Sequence, residues 1–121
     1  KREETHKKKK NMNIKHTARN YFSKFEQKDL EGLSDMFHEN VSLKDWNICV
    51  DGKQSVLDAN ADIFNSVGEL RVNVENLYIS DMTVVAELSI YVNNDPALPV
   101  VDIINFNSDM KIKSIVAYRG N

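Results

Sequence analysis

Apolar residues recur at a spacing of three or four residues in three segments of the first half of the chain. This spacing places them on one face of a helix, so it predicts helices at about 13–28, 30–38 and 54–67. Asp29 can cap the second helix at its start. Asn40 can end that helix, because asparagine tolerates the left-handed backbone that terminates helices. The helices are therefore expected early in the chain.

Apolar and polar positions alternate in the other segments, a period that is typical of β-strands. The alternation predicts strands at 41–50, 70–79, 82–93, 99–106 and 110–118. Helices followed by a meander of long strands form the α+β pattern. We therefore expect three N-terminal helices packed in a strongly curved antiparallel sheet, with bulges or bends supplying the curvature.

The length and composition favour one packed domain. The chain has 121 residues, of which 41% are apolar and 28% charged. Its single cysteine, Cys49, excludes a disulfide within the chain and favours a reducing compartment. No apolar run approaches the roughly 20 residues that span a bilayer. We therefore expect a cytoplasmic protein with no membrane partner.

The charge is distributed unevenly along the chain. Residues 1–10 carry six Lys or Arg and two Glu, whereas the remainder carries ten Lys or Arg and sixteen Asp or Glu. This basic segment could contact nucleic acid or acidic lipid, but it has no interleaved aromatic residue and the acidic remainder would repel a polyanion. We therefore predict a flexible tail or linker at 1–12, a domain at 13–121 and no nucleic-acid partner.

Two acidic residues lie in phase with apolar neighbours in the predicted strands. Asp45 alternates with Val41 and Leu43, and Asp102 alternates with Ile104. A carboxylate that faces the interior either neutralises or gains hydrogen bonds, and such a group is a functional-site candidate. A structural interpretation stays open for both. Asp45 could bond to turn amides at the end of its strand, and Asp102 could face outward because its immediate neighbours are apolar too.

Three stretches of the chain carry a family resemblance. Residues 21–33, with Asp29-Leu30-Glu31-Gly32 at a helix start, and 36–45, which end a strand on Asp45, resemble the opening of the ketosteroid isomerases. Residues 101–107 resemble the Asp-containing penultimate strand of the same family. These enzymes belong to the SnoaL-like, nuclear-transport-factor-2-like superfamily. The resemblance covers nearly all of residues 13–120 and implies a cone-shaped, cystatin-like α+β roll.

The resemblance also implies roles for three polar residues. Tyr21 matches the oxyanion-hole tyrosine of the isomerases, Asp45 their general-base aspartate, and Asp102 their protonated, hydrogen-bond-donating aspartate. It thus implies an isomerase or cyclase that moves a proton α to a carbonyl, with no cofactor and no metal. Trp46 departs from the family pattern, because the isomerases usually have proline after the base. That departure could shift the base or mark a different substrate.

The expected ligand is a small apolar carbonyl compound in a pocket lined by Phe25, Trp46, Phe64 and Ile104. The alternative is a non-catalytic ligand-binding or dimerisation module of the same fold, possibly appended to another domain. Epoxide hydrolysis would need an acid–base set with Asn or Arg partners, and no such pattern is evident in the sequence.

We also expect a homodimer that forms through the open face of the sheet. Apolar strand residues are poorly explained if that face is solvated, and such a patch usually marks an interface. The residues that suggest it are Val85, Tyr91, Ile103 and Ile115. The resemblance implies the same association.

Overall fold

The computed structural model describes the backbone of residues 2–120 and the side chains of residues 12–120. The helices are α1 (Arg2–Glu26), α2 (Leu30–Met36) and α3 (Lys53–Ser66). The strands are β1 (Phe37–Lys44), β2 (Cys49–Asp51), β3 (Leu70–Ser80), β4 (Thr83–Val92), β5 (Leu98–Phe106) and β6 (Ile112–Arg119). The predicted α+β class and the helix-covered curved sheet are confirmed.

Helix α1 begins at Arg2, earlier than the predicted residue 13. Its buried positions, Ile14, Ala18, Tyr21 and Phe22, follow the helical spacing, so one face of the helix packs into the core. Lys1 and the side chains up to residue 11 lie outside the described residues. The division of the chain at residue 12 and the flexible tail therefore stay predictions.

The short connection from α1 to α2 follows the predicted capping. Asp29 precedes α2, and its Oδ1 accepts a hydrogen bond from the Gly32 amide at 2.9 Å. The predicted end of this helix at Asn40 is wrong, because Phe37 is already extended and begins β1. Phe37, Val41 and Leu43 are buried in the core from this strand, where the sequence predicted another helical turn.

The six strands form one sheet in the order β2-β1-β6-β5-β4-β3, which curls without closing. All neighbouring pairs are antiparallel except β1 and β6, which are parallel. The expectation of a wholly antiparallel sheet is therefore corrected at this pair. The chain between β1 and β6 contains a helix and four strands, which is long enough to return in the same direction.

The predicted strand 41–50 is in fact a hairpin of β1 and β2. The chain leaves β1 after Lys44, and the Asp45 amide donates to the Ile48 carbonyl at 2.8 Å across a turn. Strand β2 then returns beside β1, with Leu43 opposite Val50. The turn leaves Asp45 at the end of a strand and not within one.

Bulges interrupt the sheet, as its curvature requires. In one of them, Asn105 pairs with Ser114 but Phe106 pairs with Ile112, so β6 carries an extra residue. This shift turns Ile115 to the inner face of the sheet, where it lies opposite Ile104 and is 2% exposed. The predicted position of Ile115 on the open face is therefore wrong.

Two side chains fasten the helices over the inner face of the sheet. Glu26, the last residue of α1, accepts a hydrogen bond from the Val72 amide of the edge strand β3 at 2.8 Å. Lys28 Nζ donates to the carbonyl oxygens of Val67 and Gly68, just after α3, at 2.6 and 2.7 Å. These long-range bonds join the end of α1 to the edge of the sheet, and the segment after α1 to the segment after α3.

None of the described helices combines the length and apolarity that crossing a bilayer requires. The cytoplasmic location stays a prediction.

Candidate functional site

A cavity of about 260 Å³ lies between the helices and the inner face of the sheet. Its wall is mainly apolar and comes from α1, α3, the β1–β2 turn and strands β1 and β3 to β6. The polar residues on the wall are Tyr21, Asp45, Asn47, Asn60 and Asp102. The structure therefore brings the three residues singled out by the sequence into one cavity.

Tyr21 enters the cavity from α1. The residue is 4% exposed, and its ring packs near the rings of Phe22, Phe25 and Phe37 at centroid distances of 5.2, 6.2 and 6.4 Å. Burial, and after it the charge of Asp102, raises the pKa of the Tyr21 hydroxyl well above its ordinary value. The phenol therefore stays neutral and can donate a hydrogen bond.

Asp102 lies in the middle of β5 on the inner face, which is one of the two orientations that its apolar neighbours left open. Its cross-strand neighbours are Ala86 on β4 and Ala117 on β6, whose small side chains leave room beside the carboxyl group. Asp102 is 8% exposed. Burial, with a smaller contribution from the charge of Asp45, raises the pKa of Asp102 to about 7. A buried acid of this kind keeps its proton up to a pH well above the range in which an aspartate usually loses it.

Asp45 reaches the cavity from the turn after β1. Its Oδ1 accepts hydrogen bonds from the amides of Asn47 and Ile48, both at 2.7 Å. This is the turn-bonding role left open as the structural interpretation of Asp45. The residue nevertheless also lines the cavity, and it is only half-buried. Its second oxygen has no hydrogen bond to the side chains that the structure describes, so it is free to meet a ligand.

The four predicted wall residues separate into two pairs. Phe25 and Trp46 line the cavity. The predictions for Phe64 and Ile104 are corrected, because both are buried behind the wall. The Phe64 ring packs edge-on against the Phe25 ring at 5.0 Å, and Ile104 is fully buried. Their apolar phase was visible in the sequence, but which layer of the core they join was not.

Asn60 is a wall residue that the sequence predictions missed. It lies on α3 one helical turn from both Val56 and Phe64, on the buried face of the helix. Asn60 is 2% exposed, and its Nδ2 has no hydrogen-bond partner among the described residues. A polar residue in phase with buried apolar residues is the signal that could have revealed it.

Among residues with described side chains, no group of three or more His, Cys, Asp or Glu is placed to hold a metal ion. The polar groups of the cavity are instead arranged as a carboxylate, a phenol, a buried acid and an amide. Such a set can accept a proton at one point and donate hydrogen bonds at another.

The SnoaL-like domain family matches residues 18–115 of the chain. That segment contains α1 from its second half onward and the strands as far as the middle of β6, so it includes every polar residue of the cavity wall. The family resemblance noted in the sequence is thereby confirmed. None of the curated proteins matches the sequence.

Solved structures of similar shape carry names from the same superfamily. A proposed SnoaL-like polyketide cyclase from Shewanella denitrificans aligns with a TM-score of 0.79 at 16% identity, covering 88% of this chain and 90% of that one. A proposed ketosteroid isomerase from Kribbella flavida aligns with a TM-score of 0.78 at 14% identity, covering 89% and 78%.

A third similar structure is the epoxide hydrolase/cyclase-like enzyme SalBIII of salinomycin pyran ring formation. It aligns with a TM-score of 0.73 at 19% identity, covering 91% of this chain and 92% of that one. At such identities these likenesses establish a shared fold. The chemistry of this chain must be argued from its own residues.

Proposed function

Because the chain belongs to the SnoaL-like domain family, we propose that its cavity binds a small carbonyl compound and moves the proton α to the carbonyl group. The observation that supports this most strongly is the contrast between the two acids on one apolar wall. Asp102 is buried with a pKa raised to about 7, whereas Asp45 is half-buried and bonded to turn amides. Unequal environments of two nearby acids favour opposite protonation states, which acid–base chemistry needs.

Asp45 is the base in this proposal. Its Oδ1 is held by two backbone amides, which fixes the direction of the carboxylate and leaves Oδ2 to take the proton. A positioned base of this kind typically contributes a factor of about 10² to 10⁴ in rate. The proton can return to another carbon of the same ligand, which would isomerise it without a cofactor.

Tyr21 and protonated Asp102 are the donors to the oxygen on which charge develops. Both are buried against the cavity, where a hydrogen bond to a forming oxyanion is worth more than in water. Tyr21 comes from α1 and Asp102 from β5, so the donors lie on elements whose positions the core already holds.

Proton transfer is tested with a small β,γ-unsaturated ketone in D₂O, by following conjugation of the double bond and deuterium uptake. The wild-type chain should accelerate both, and Asp45→Asn should reduce the rate by about 10² to 10⁴ because it removes the base but keeps an Oδ1 for the turn. Asp62→Asn, an exposed acid on α3, is the matched control and should behave like wild type. Equal rates in wild type and Asp45→Asn would refute the role of Asp45.

The second candidate function is a binding module without turnover. The two amide hydrogen bonds of Asp45 favour it, because they give that residue a structural task that requires no catalysis. In that case the β,γ-unsaturated ketones bind and Asp45→Asn changes their affinity modestly. None of these ketones is then isomerised or takes up deuterium. Rate and affinity measured on the same ketones therefore separate the two functions.

Association through the outer face of the sheet is proposed as well. Val85 of β4 lies opposite Ile103 of β5, which in turn lies opposite Val116 of β6, and all three are only partly buried in the single chain. Tyr78 and Tyr118, 54% and 60% exposed, extend this apolar surface. A second copy of the chain is the occupant that would cover it.

Sedimentation at high micromolar concentration tests this association. A dimer is expected for the wild type, and a monomer for Ile103→Lys, which places a charge in the middle of the apolar surface. Glu31→Lys, an exposed change on α2, should remain dimeric. A monomeric wild-type chain would contradict the proposal.

A further inference from the structure

The amide group of Asn60 is a polar group of the cavity that the proposed proton transfer does not use. Asn60 is 2% exposed and forms part of the cavity wall. Its Nδ2 lacks a hydrogen-bond partner in the part of the chain whose side chains are described. Asn60 is thus a buried donor without an acceptor, next to a space where a ligand can enter.

A packing role does not explain an asparagine here. The neighbours one turn away on α3, Val56 and Phe64, are buried and apolar, so a leucine would suit the same helix face. A buried polar group without a partner destabilises the folded chain, and most such groups in proteins are satisfied. The unmatched amide therefore calls for an acceptor that the described residues do not supply.

A ligand in the cavity can provide that acceptor. The terminal amide carries both a donor and an acceptor, which exchange places when the group turns about its last bond. Asn60 enters from α3, whereas the proposed oxyanion donors enter from α1 and β5. The charge of Asp102 acts on the Tyr21 hydroxyl, whereas Asn60 Nδ2 has no hydrogen-bond partner among the described residues, so Asn60 is separate from that pair of donors. We therefore expect one ligand oxygen to meet Tyr21 and Asp102, and a different polar atom to meet Asn60.

We propose that Asn60 is a specificity-determining residue that hydrogen-bonds a second oxygen of the ligand. This inference rests on the proposed function, in which the first oxygen is the reacting carbonyl. It narrows the ligand class from simple apolar ketones to carbonyl compounds that carry a further hydroxyl, ketone or ester oxygen. A site built for a hydrogen bond discriminates strongly against analogues that lack the matching group, because its own polar atom is then left unpaired.

Binding of 2-naphthol and of dihydroxynaphthalenes tests the inference. Each keeps one enolate-like oxygen, and the dihydroxy isomers place a second hydroxyl at different positions. Titration calorimetry on the wild-type chain should find at least one isomer that binds about five- to tenfold more tightly than 2-naphthol, the effect of one buried hydrogen bond. Asn60→Leu should abolish that preference and leave the affinity for 2-naphthol unchanged or improved.

The melting temperature of the ligand-free chain provides an independent readout. Asn60→Leu should raise it, because the change removes an unpaired buried amide from an apolar helix face. Ile63→Val, which alters the apolar wall on the same helix, should leave the preference for the dihydroxy isomer intact. Asn60→Ser, which keeps a smaller polar group, should retain part of the preference for the dihydroxy isomer.

Three results would overturn the inference: an unchanged preference in Asn60→Leu, a lower melting temperature in that variant, or a variant that does not fold. An unchanged preference would show that the ligand does not bond the amide, and either of the other two results would show that the amide serves the structure. If the wild type binds 2-naphthol and Asp45→Asn abolishes proton exchange, such a result refutes only the proposed role of Asn60 in ligand specificity. If no naphthol binds and no ketone exchanges its proton, the proposed function fails as well.

Discussion

The two acids of the cavity wall, Asp45 and Asp102, occupy similar positions in the strand pattern but very different surroundings. Asp45 directly follows β1, is half-buried and accepts two backbone amide hydrogen bonds at 2.7 Å. Asp102 lies in the middle of β5, with Ala86 and Ala117 as its neighbours on the adjacent strands, and is 8% exposed. Among the described hydrogen bonds of side chains, none involves Asp102.

The two acids of one cavity therefore have unlike surroundings. Amide hydrogen bonds favour a charged carboxylate, whereas burial without a donor disfavours it. The pKa of Asp102 rises to about 7 mainly through burial, and the charge of Asp45 adds to the rise. The proposed base and the proposed donor are thus distinguished by solvent access and backbone hydrogen bonding, since both residues are aspartates.

The largest expected effect concerns stability and pH. The pKa of Asp102 is raised from an ordinary value of 3.8 to about 7, so the folded chain binds this proton more tightly than the unfolded chain does. The stabilisation is fully present below about pH 4 and is lost as pH rises through about 7. We expect a loss of about 4 kcal/mol in the free energy of unfolding, the equivalent of that pKa change.

Urea unfolding of wild type and Asp102→Asn between about pH 4 and 8 measures this loss. The other carboxylates are common to both chains, so the difference between the two stability curves isolates Asp102. Parallel curves would mean that Asp102 titrates normally, and the contrast with Asp45 would disappear.

The next effect is on turnover of the β,γ-unsaturated ketone. Asp102→Leu should lower kcat by about 10² to 10³, since it removes one donor to the developing oxyanion. Asp102→Asn keeps an N–H donor of similar shape and should retain more activity than the leucine variant. Wild-type turnover should also fall as pH rises above about 7, because Asp102 then loses the proton it donates. Full activity of Asp102→Leu would exclude Asp102 from the reaction.

A smaller effect is expected for the turn that holds Asp45. Asp45→Ala removes both hydrogen bonds to the Asn47 and Ile48 amides and should lower the free energy of unfolding by about 1–2 kcal/mol. Asp45→Asn keeps the accepting oxygen and should be nearly as stable as wild type, although its turnover should be lower. Equal stability of the two variants, measured by urea unfolding, would show that the turn does not depend on this side chain.

The smallest effect concerns Trp46, which follows the proposed base. Its ring is 43% exposed, and the Arg119 guanidinium carbon lies 6.0 Å from the ring centroid. Trp46→Ala should change the free energy of unfolding by only about 0.5 kcal/mol, the usual size of an exposed cation–π contact. It should weaken 2-naphthol binding because Trp46 lines the cavity.

Tyr118→Ala, an exposed change near the same arginine but outside the cavity wall, is the control and should bind 2-naphthol like wild type. Tighter binding after Trp46→Ala would instead indicate that the ring obstructs the entrance.

Local periodicity was sufficient to predict the class of the fold and the buried face of its first helix. The helix face that carries Tyr21 and the cap at Asp29 follow from spacing along a single segment. For Asp102, alternation left both faces open, and the family resemblance implied the inward one. The first two features depend on residues only a few positions apart, because the geometry of a helix or a strand repeats over that distance. The sequences of those two segments therefore contain the information needed to orient them.

Local periodicity does not predict how distant segments of the chain pair. The parallel neighbours β1 and β6, and the bulge that turns Ile115 inward, depend on which strands meet and in what register. One extra residue in a strand reverses the faces of the residues that follow it, and local alternation does not show where such a residue is absorbed.

The layer of the core that each side chain joins is likewise set by assembly. Phe64 and Phe25 are both apolar residues on helices, yet Phe25 lines the cavity and Phe64 packs behind it. The unmatched amide of Asn60 and the raised pKa of Asp102 arise in the same way. Burial and hydrogen-bond supply depend on every element that surrounds a group, so they exist only once helices and sheet have closed around the cavity.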